Sequence, residues 1–593
     1  MTRSALAILL LALPAAAAEP VAFGKHNLSV TGPGAVKARS EPRTCVFCHV
    51  AHGGREGGDN RPESGVQPLR YQSSSMAARP AAPAVGGASR ACLSCHDGTI
   101  ALGQTVKGAR IPMRGAAPGD RMPEGKDRLG FDLSGTHPVS IDAPRDGRFR
   151  APRPGDAVKL DRGGKVQCTS CHDPHSEGND PEARMFLVKP NRGGAICLSC
   201  HALPLWQANP AAHQSSFASP VPPGAAAPGE YTYATIADNG CATCHPAHEA
   251  YGPSLTRGAR GQGEDRLCLG CHDGRVARTD VASQTARPYA HAAPLAGPSG
   301  HDASEGPTSA VHRLPEDRPS TPRHVSCVDC HDPHAAVTRT AFAPRAAGAL
   351  AGVWGIDRNG MRVEPVNFEY EVCYKCHADS ANQPQARPSA SLLEPRRQLP
   401  DVNLRRVFDP GSAASFHPVV ATGRSAAVPG LLRPWSASSM VYCSDCHASD
   451  AAAGGRAPRG PHGSSYPHIL ERPYLTADRT AESPQAYALC YKCHDRSLFA
   501  LAPASLPAGT EPSRFPSHHS HVVTYAAPCS ACHDAHGVSS LSGNRVNNAH
   551  LVDFDVNVVA PNRKGVRQYV SSGAGGNCSL SCHGADHDGR AYP

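Results

Sequence analysis

All 24 cysteines of this chain fall in short runs where two cysteines stand close together and a histidine follows the second. Eleven runs read Cys-x-x-Cys-His. They are Cys45, Cys48 and His49; Cys92, Cys95 and His96; Cys168, Cys171 and His172; Cys197, Cys200 and His201; Cys241, Cys244 and His245; and Cys268, Cys271 and His272. The second half continues with Cys327, Cys330 and His331; Cys373, Cys376 and His377; Cys443, Cys446 and His447; Cys490, Cys493 and His494; and Cys529, Cys532 and His533. A twelfth run, Cys578, Cys582 and His583, has one extra residue between its thiols. On a helical turn this spacing brings both sulfurs to one side. There they can add to the vinyl groups of a haem as thioethers, and the adjacent imidazole becomes the proximal iron ligand. Twelve covalently bound haem c groups are expected. Zinc ribbons also pair Cys-x-x-Cys motifs, but zinc does not require a histidine after every second cysteine. A disulfide framework or a set of thioredoxin-like motifs would leave all twelve histidines unexplained.

Six-coordinate iron needs a second ligand. Of 32 histidines, twenty remain after the proximal twelve, whereas the chain has seven methionines, none at a repeated offset. Bis-histidine ligation, with low reduction potentials, is therefore expected. The motifs fall into six pairs by spacing. First members usually carry another histidine three residues after the proximal one: His52, His175, His248, His334 and His536. Residues i and i+3 share a helix face, so His172 and His175 cannot grip opposite sides of one haem. His175 is expected to reach a neighbouring iron. In the fifth pair His447 is followed by Ala448, Ser449 and Asp450, and His462 is expected to replace the missing ligand, with His468 as the fallback. Each pair should also receive one upstream histidine: His26, His137, His213, His291 or His301, His417, and one of His518, His519 and His521, of which His521 is taken. His137-Pro138-Val139 and His417-Pro418-Val419 repeat a local sequence, and His550 and His587 stand in surplus.

The elements that position these ligands must be short. With 57 glycines, 56 prolines and 5% aromatic residues in 593, the polypeptide cannot bury a sufficient core of its own. The porphyrins are expected to supply it, giving a mostly irregular fold with short α-helices, a haem-packed core and little β-sheet. The expected organisation is a signal peptide at 1–18, then haem-pair segments at 19–130, 131–205, 206–285, 286–385, 386–505 and 506–593. Thr2 and Arg3, the apolar run Ala5 to Leu13 and small residues Ala15 to Ala18 read as an export signal cut before Glu19. No later stretch approaches the roughly 18–20 apolar residues of a membrane-spanning helix. No cysteine follows the cleavage site until Cys45, so a lipid anchor there is not expected.

The formal net charge of +8 belongs to the bare polypeptide. Haem propionates outweigh the charge of the iron, so the loaded protein is expected to be acidic. No basic run interleaved with aromatics points to nucleic acid.

Lys25-His26-Asn27-Leu28-Ser29, the repeated Cys-x-x-Cys-His-Asp-Pro-His runs and the closing Asn548-Ala549-His550-Leu551 resemble the multihaem c-type cytochromes with doubled Cys-x-x-Cys-His motifs of metal-respiring and other anaerobic bacteria. The resemblance implies electron transfer to an acceptor outside the inner membrane, in the periplasm or in an extracellular or outer-membrane-associated setting. It implies redox partner proteins, among them other multihaem cytochromes, and leaves open an outer-membrane porin–cytochrome complex, an oligomer or a filament. The alternative is a terminal reductase of metal ions or of a small nitrogen or sulfur oxyanion, which needs an iron with an exchangeable position. No Cys-x-x-Cys-Lys motif is present, and no catalytic residue is assigned.

Overall fold

Proline and glycine interrupt the chain so often that regular elements seldom exceed one or two turns. The computed structural model describes residues 20–49, 85–105, 109–143, 147–208, 211–223, 231–252, 255–258, 264–291, 325–380, 394–426, 428–451, 458–508, 510, 512–572 and 575–592. The expected signal peptide, His52 and His301 lie outside them. Within the described residues the fold is mostly irregular, with short helices and small sheets. No helix among them is long and apolar enough to cross a membrane.

The chain forms two compact units. The first comprises Met1–Pro204, Gln214–Val221 and Ala225–Arg260; the second comprises Leu205–His213, Pro222–Gly224 and Gly261–Pro593. The first five motifs fall in the former and the last seven in the latter.

In the first unit the main helix is α1 (Gly87–His96), which ends on a motif histidine. Two-residue ribbons join Lys37–Ala38 to Met113–Arg114 and Ile141–Asp142 to Lys165–Val166. Two small apolar clusters stabilise this frame, one of Ala38, Phe47, Leu102 and Met113, the other of Val85, Leu93, Leu133 and Val139.

In the second unit α2 (Glu369–His377) also ends on a motif histidine. Its start is capped by Glu371, whose carboxylate accepts the backbone N–H groups of Asn367 and Phe368 at 2.7 and 3.0 Å. Its Tyr370 and Tyr374 pack in one cluster with Ile356, Phe408 and Phe416. At the C-terminus β1 (Val559–Ala560) and β2 (Gln568–Ser571) pair along one edge of β3 (Gly576–Cys582), and β4 (Ala585–Tyr592) pairs with the other. All the motif histidines of this unit and all its motif thiols but Cys271 line one continuous cavity of about 4630 Å³. A small-molecule pocket is roughly 300–1,000 Å³. Because interiors are otherwise close-packed, side chains arranged around so large a space form a cradle for large groups.

Candidate haem-binding centres

A single backbone hydrogen bond closes most of the motifs. The histidine N–H donates to the carbonyl of the first cysteine at Cys45–His49 (2.8 Å), Cys168–His172 (2.9 Å), Cys197–His201 (2.9 Å), Cys241–His245 (2.8 Å), Cys268–His272 (2.9 Å), Cys327–His331 (2.9 Å), Cys443–His447 (2.9 Å), Cys490–His494 (3.0 Å) and Cys529–His533 (3.0 Å). The Cys92 and Cys373 motifs are the last turns of α1 and α2. Local chemistry supports these turns: the Ser170 hydroxyl accepts the Gln167 N–H at 3.0 Å, and the Asp329 carboxylate accepts that of Ser326 at 2.7 Å.

The histidine rings come together in facing pairs. With metal–imidazole bonds of about 2 Å, two rings on opposite sides of one metal have centroids about 6 Å apart. In the first unit the separations are 6.0 Å for His49 and His175, 6.2 Å for His96 and His26, 6.2 Å for His172 and His248, and 6.2 Å for His201 and His137. In the second they are 6.1 Å for His272 and His213, 6.1 Å for His331 and His462, and 6.0 Å for His377 and His291. Three more follow: 5.9 Å for His447 and His536, 6.5 Å for His494 and His417, and 6.4 Å for His533 and His518. His175, His248 and His536, with His462 as the substitute in the fifth pair, thus stand opposite the first motif of the preceding pair; His26, His137, His213, His291 and His417 stand opposite the second motif of their own pair, and His518 opposite the first motif of its own. His334 has its Nδ1 3.5 Å from Asp332 and its ring near Trp206.

The other nitrogen of many of these rings is already engaged. A carbonyl can only accept, so an Nδ1 within reach of one is the protonated nitrogen, and Nε2 keeps the lone pair that binds metal. Proximal rings donate to loop carbonyls: His96 to Asp127 (2.6 Å), His172 to Met185 (2.9 Å), His245 to Leu255 (3.2 Å), His331 to Ala349 (2.9 Å), His447 to His468 (2.8 Å) and His533 to His550 (2.9 Å). Four upstream rings follow a second rule. His26 donates to Pro174 (3.0 Å), His213 to Pro333 (3.1 Å), His291 to Pro461 (3.0 Å) and His417 to Ala535, in each case the residue just before an i+3-type histidine or its substitute. Such outer contacts fix tautomer and ring orientation. Burial also pushes His248, His447, His462 and His494 down to about 4, so the rings are neutral, the form that binds iron.

Successive motifs touch through their thiols. Cys92 and Cys168 share a hydrogen bond that pushes Cys92 up and brings Cys168 down to about 7. Like contacts join Cys197 to Cys241, Cys268 to Cys327, Cys373 to Cys443 and Cys490 to Cys529. Between these joints, burial and then the neighbouring Cys197 and Cys200 push Cys171 up to about 12. Burial does the same at Cys446, with Cys490 and Cys493 adding to it. Within each unit, therefore, the motifs adjoin in sequence order. The crossing of Cys197 and Cys241 depends on glycine: Gly194 has φ +80°, and a Cβ there would stand 2.5 Å from the Cys241 sulfur.

The final motif departs from the others, because Cys578 and Cys582 lie on strand β3 rather than a helical turn. His583 follows with its Nε2 2.8 Å from an Asp478 carboxylate oxygen. His521, expected at this site, faces His587 at 6.4 Å. Sequence reasoning treated His518 and His521 as alternatives and His587 as surplus, whereas His518 and His521 each face a partner ring. What distinguishes them from His519 is the facing ring, and their Nδ1 atoms are engaged too, His518 next to the Ser513 hydroxyl at 2.7 Å and His521 donating to the Ser517 carbonyl at 2.8 Å. His519 instead turns to the Ala500 carbonyl at 2.8 Å.

The family described as "Doubled CXXCH motif" matches at residues 162–203, 234–277 and 436–498. Doubled haem-attachment turns on an irregular, cavity-lined frame define a multihaem c-type cytochrome. A curated relative, "Multiheme cytochrome MtrA" of Shewanella baltica (strain OS185), is 21% identical over 221 residues. The match covers 36% of this chain and 43% of the relative, so it spans less than half of the relative's length.

Proposed function

We propose that the chain carries electrons through twelve covalently held, bis-histidine haem c groups to an acceptor outside the inner membrane. The observation that carries this reading is the set of ten motif histidines that each face a second imidazole at the spacing of two ligands on one metal. The bound haems supply the one-electron chemistry. The polypeptide's part is positional. Paired cysteines anchor each group, the proximal histidine holds one face of the iron, and the facing histidine holds the other. The carbonyls opposite each Nδ1 keep the rings from turning. An imidazole on each side would leave the iron no open position, which favours outer-sphere electron transfer over bond-making chemistry. The thiol-to-thiol joints set neighbouring groups side by side in sequence order within each unit, the arrangement that a relay requires.

The relative's name supports the multihaem reading, and the basic start, apolar run and small-residue cleavage site at residues 1–18 support an exported location, periplasmic or at the outer membrane, with other cytochromes as redox partners. Pyridine haemochrome assay with intact mass is expected to give twelve haems per chain and a low-spin spectrum without a methionine-to-iron band. Zinc with little haem, or a large high-spin fraction in loaded protein, would overturn the reading. Cell fractionation followed by haem-stained gels distinguishes the periplasmic from the outer-membrane setting.

A further inference from the structure

Only two of the motifs place a basic residue between their thiols: Cys373-Tyr374-Lys375-Cys376 and Cys490-Tyr491-Lys492-Cys493. In each case the first motif of the same pair is one that carries an acidic residue there, Asp329 before Cys330 and Asp445 before Cys446, and no other motif does. The pattern would suit two ion pairs, and the structure forms neither. Each aspartate turns its carboxylate to the start of its own motif, where it accepts the Ser326 N–H at 2.7 Å or the Tyr442 N–H at 2.8 Å. The lysine is bonded to the aspartate's backbone carbonyl instead.

The two lysines differ in what balances their charge. Lys492 is ion-paired with Glu471, whose side chain is 11% exposed. Lys375 is 4% exposed, and among the described residues its ammonium makes no ion pair. Beyond the Asp329 carbonyl it meets the Trp354 ring, 4.8 Å from the ring centre. The acids on its own helix are bonded elsewhere, Glu371 to the Asn367 and Phe368 N–H groups and Glu369 to the N–H and hydroxyl of Ser444. Arg362, the other cation on Trp354, is paired with Glu364. Lys375 also lies close to the attachment point of the preceding motif. Burial pushes the Cys330 thiol up to about 11, and the charge that acts on it most is the Lys375 ammonium, in the opposite direction.

Reduction adds an electron to a haem, so a nearby positive charge favours the reduced form, and in a buried site water and salt screen that influence less than at a surface. We propose that the uncompensated ammonium of Lys375 raises the reduction potential of the haems held at Cys327 and Cys330 and at Cys373 and Cys376, whereas Glu471 cancels the same effect of Lys492 in the fifth pair. This proposal rests on the multihaem reading above.

The test is an anaerobic spectropotentiometric titration of the full haem-loaded chain, with intact mass and the low-spin spectrum as checks on assembly. Lys375→Met and Lys375→Gln both remove the charge, and glutamine keeps an N–H for the Asp329 carbonyl. Both are expected to move the share of one or two haems to lower potential, by the same amount and at unchanged haem count. Glu471→Gln is expected to move a similar share to higher potential, and adding Lys492→Met to it should cancel the rise. An unmoved curve in a fully loaded Lys375 variant overturns the proposal. So does a shift seen with methionine and not with glutamine, which would trace to the lost hydrogen bond. If neither Lys375 variant loads fully, the Glu471 variants decide: no rise, or a rise that Lys492→Met leaves in place, overturns the proposal. An unsubstituted protein without haem would instead overturn the multihaem reading itself.

Discussion

The Nδ1 of His26 lies 3.0 Å from the carbonyl oxygen of Pro174, one residue before His175. Since the His175 ring faces His49 and the His26 ring faces His96, this hydrogen bond ties together two rings directed at two different motifs. Pro333 with His213, Pro461 with His291 and Ala535 with His417 repeat it. The rings that face neighbouring motifs are thus mechanically linked.

His175→Ala should remove one axial nitrogen while leaving every thioether intact. Haem count by mass is expected to stay constant and one iron per chain to become high spin or bind water. An unchanged low-spin spectrum would show that another group ligates the centre at Cys45 and Cys48.

Gly194→Ala should disturb attachment at Cys241. The new Cβ would stand 2.5 Å from that sulfur, and the φ of +80° is unfavourable to alanine. The expected result is a fraction of chains lighter by one haem in the intact mass spectrum, with peptide mapping locating the loss to Cys241 and Cys244.

Lys375 is buried inside its own motif, with its ammonium bonded to the Asp329 carbonyl of the preceding motif and 4.8 Å from the centre of the Trp354 ring. Lys492 bonds the Asp445 carbonyl in the same way. Lys375→Met removes this bond from a charged donor, a loss of about 1.5–3 kcal/mol. A lower denaturant midpoint, followed at the Soret band, is the expected outcome. An unchanged midpoint would mean that the contact adds nothing to stability.

The Asp156 carboxyl is held at about 2, chiefly by Lys189 at 2.7 Å, with the Val158 N–H and the Ser199 hydroxyl adding to it. A carboxyl depressed on folding stabilises above its unfolded value, and that contribution is lost as pH falls from roughly 4 toward 2. Asp156→Asn should therefore unfold at lower temperature than the parent at pH 7, and the gap should narrow by pH 2. An equal gap at both values would show that the carboxyl is not the cause.

Attachment chemistry is legible in the sequence because covalent bonds impose fixed spacing: Cys168, Cys171 and His172 announce their role without any fold. The offset of His175, His248 and His536 is equally visible, since it follows from one helical turn. The rings they face are not, because His49 and His175 meet only through tertiary packing. His518 and His521 lie three apart, and nothing local says that both face a ring. His587 is the hardest to read. Its placement depends on a hairpin register, and a motif usually closed by a helical turn carries no warning that it will be a strand, except the one added residue.

Each relay histidine belongs to two loops at once. His175 follows His172 on a segment bonded covalently to one cofactor, yet its ring is directed at the group carried by Cys45 and Cys48. His248 does the same one pair further along, and His536 does so between the last two pairs. The polypeptide is in this sense knitted rather than folded: each stitch is held by the next. A single unfilled attachment site drops not one stitch but two, leaving its own loop slack and its neighbour without a ligand. Maturation should therefore approach all-or-none behaviour, with few partly loaded chains in the intact mass spectrum.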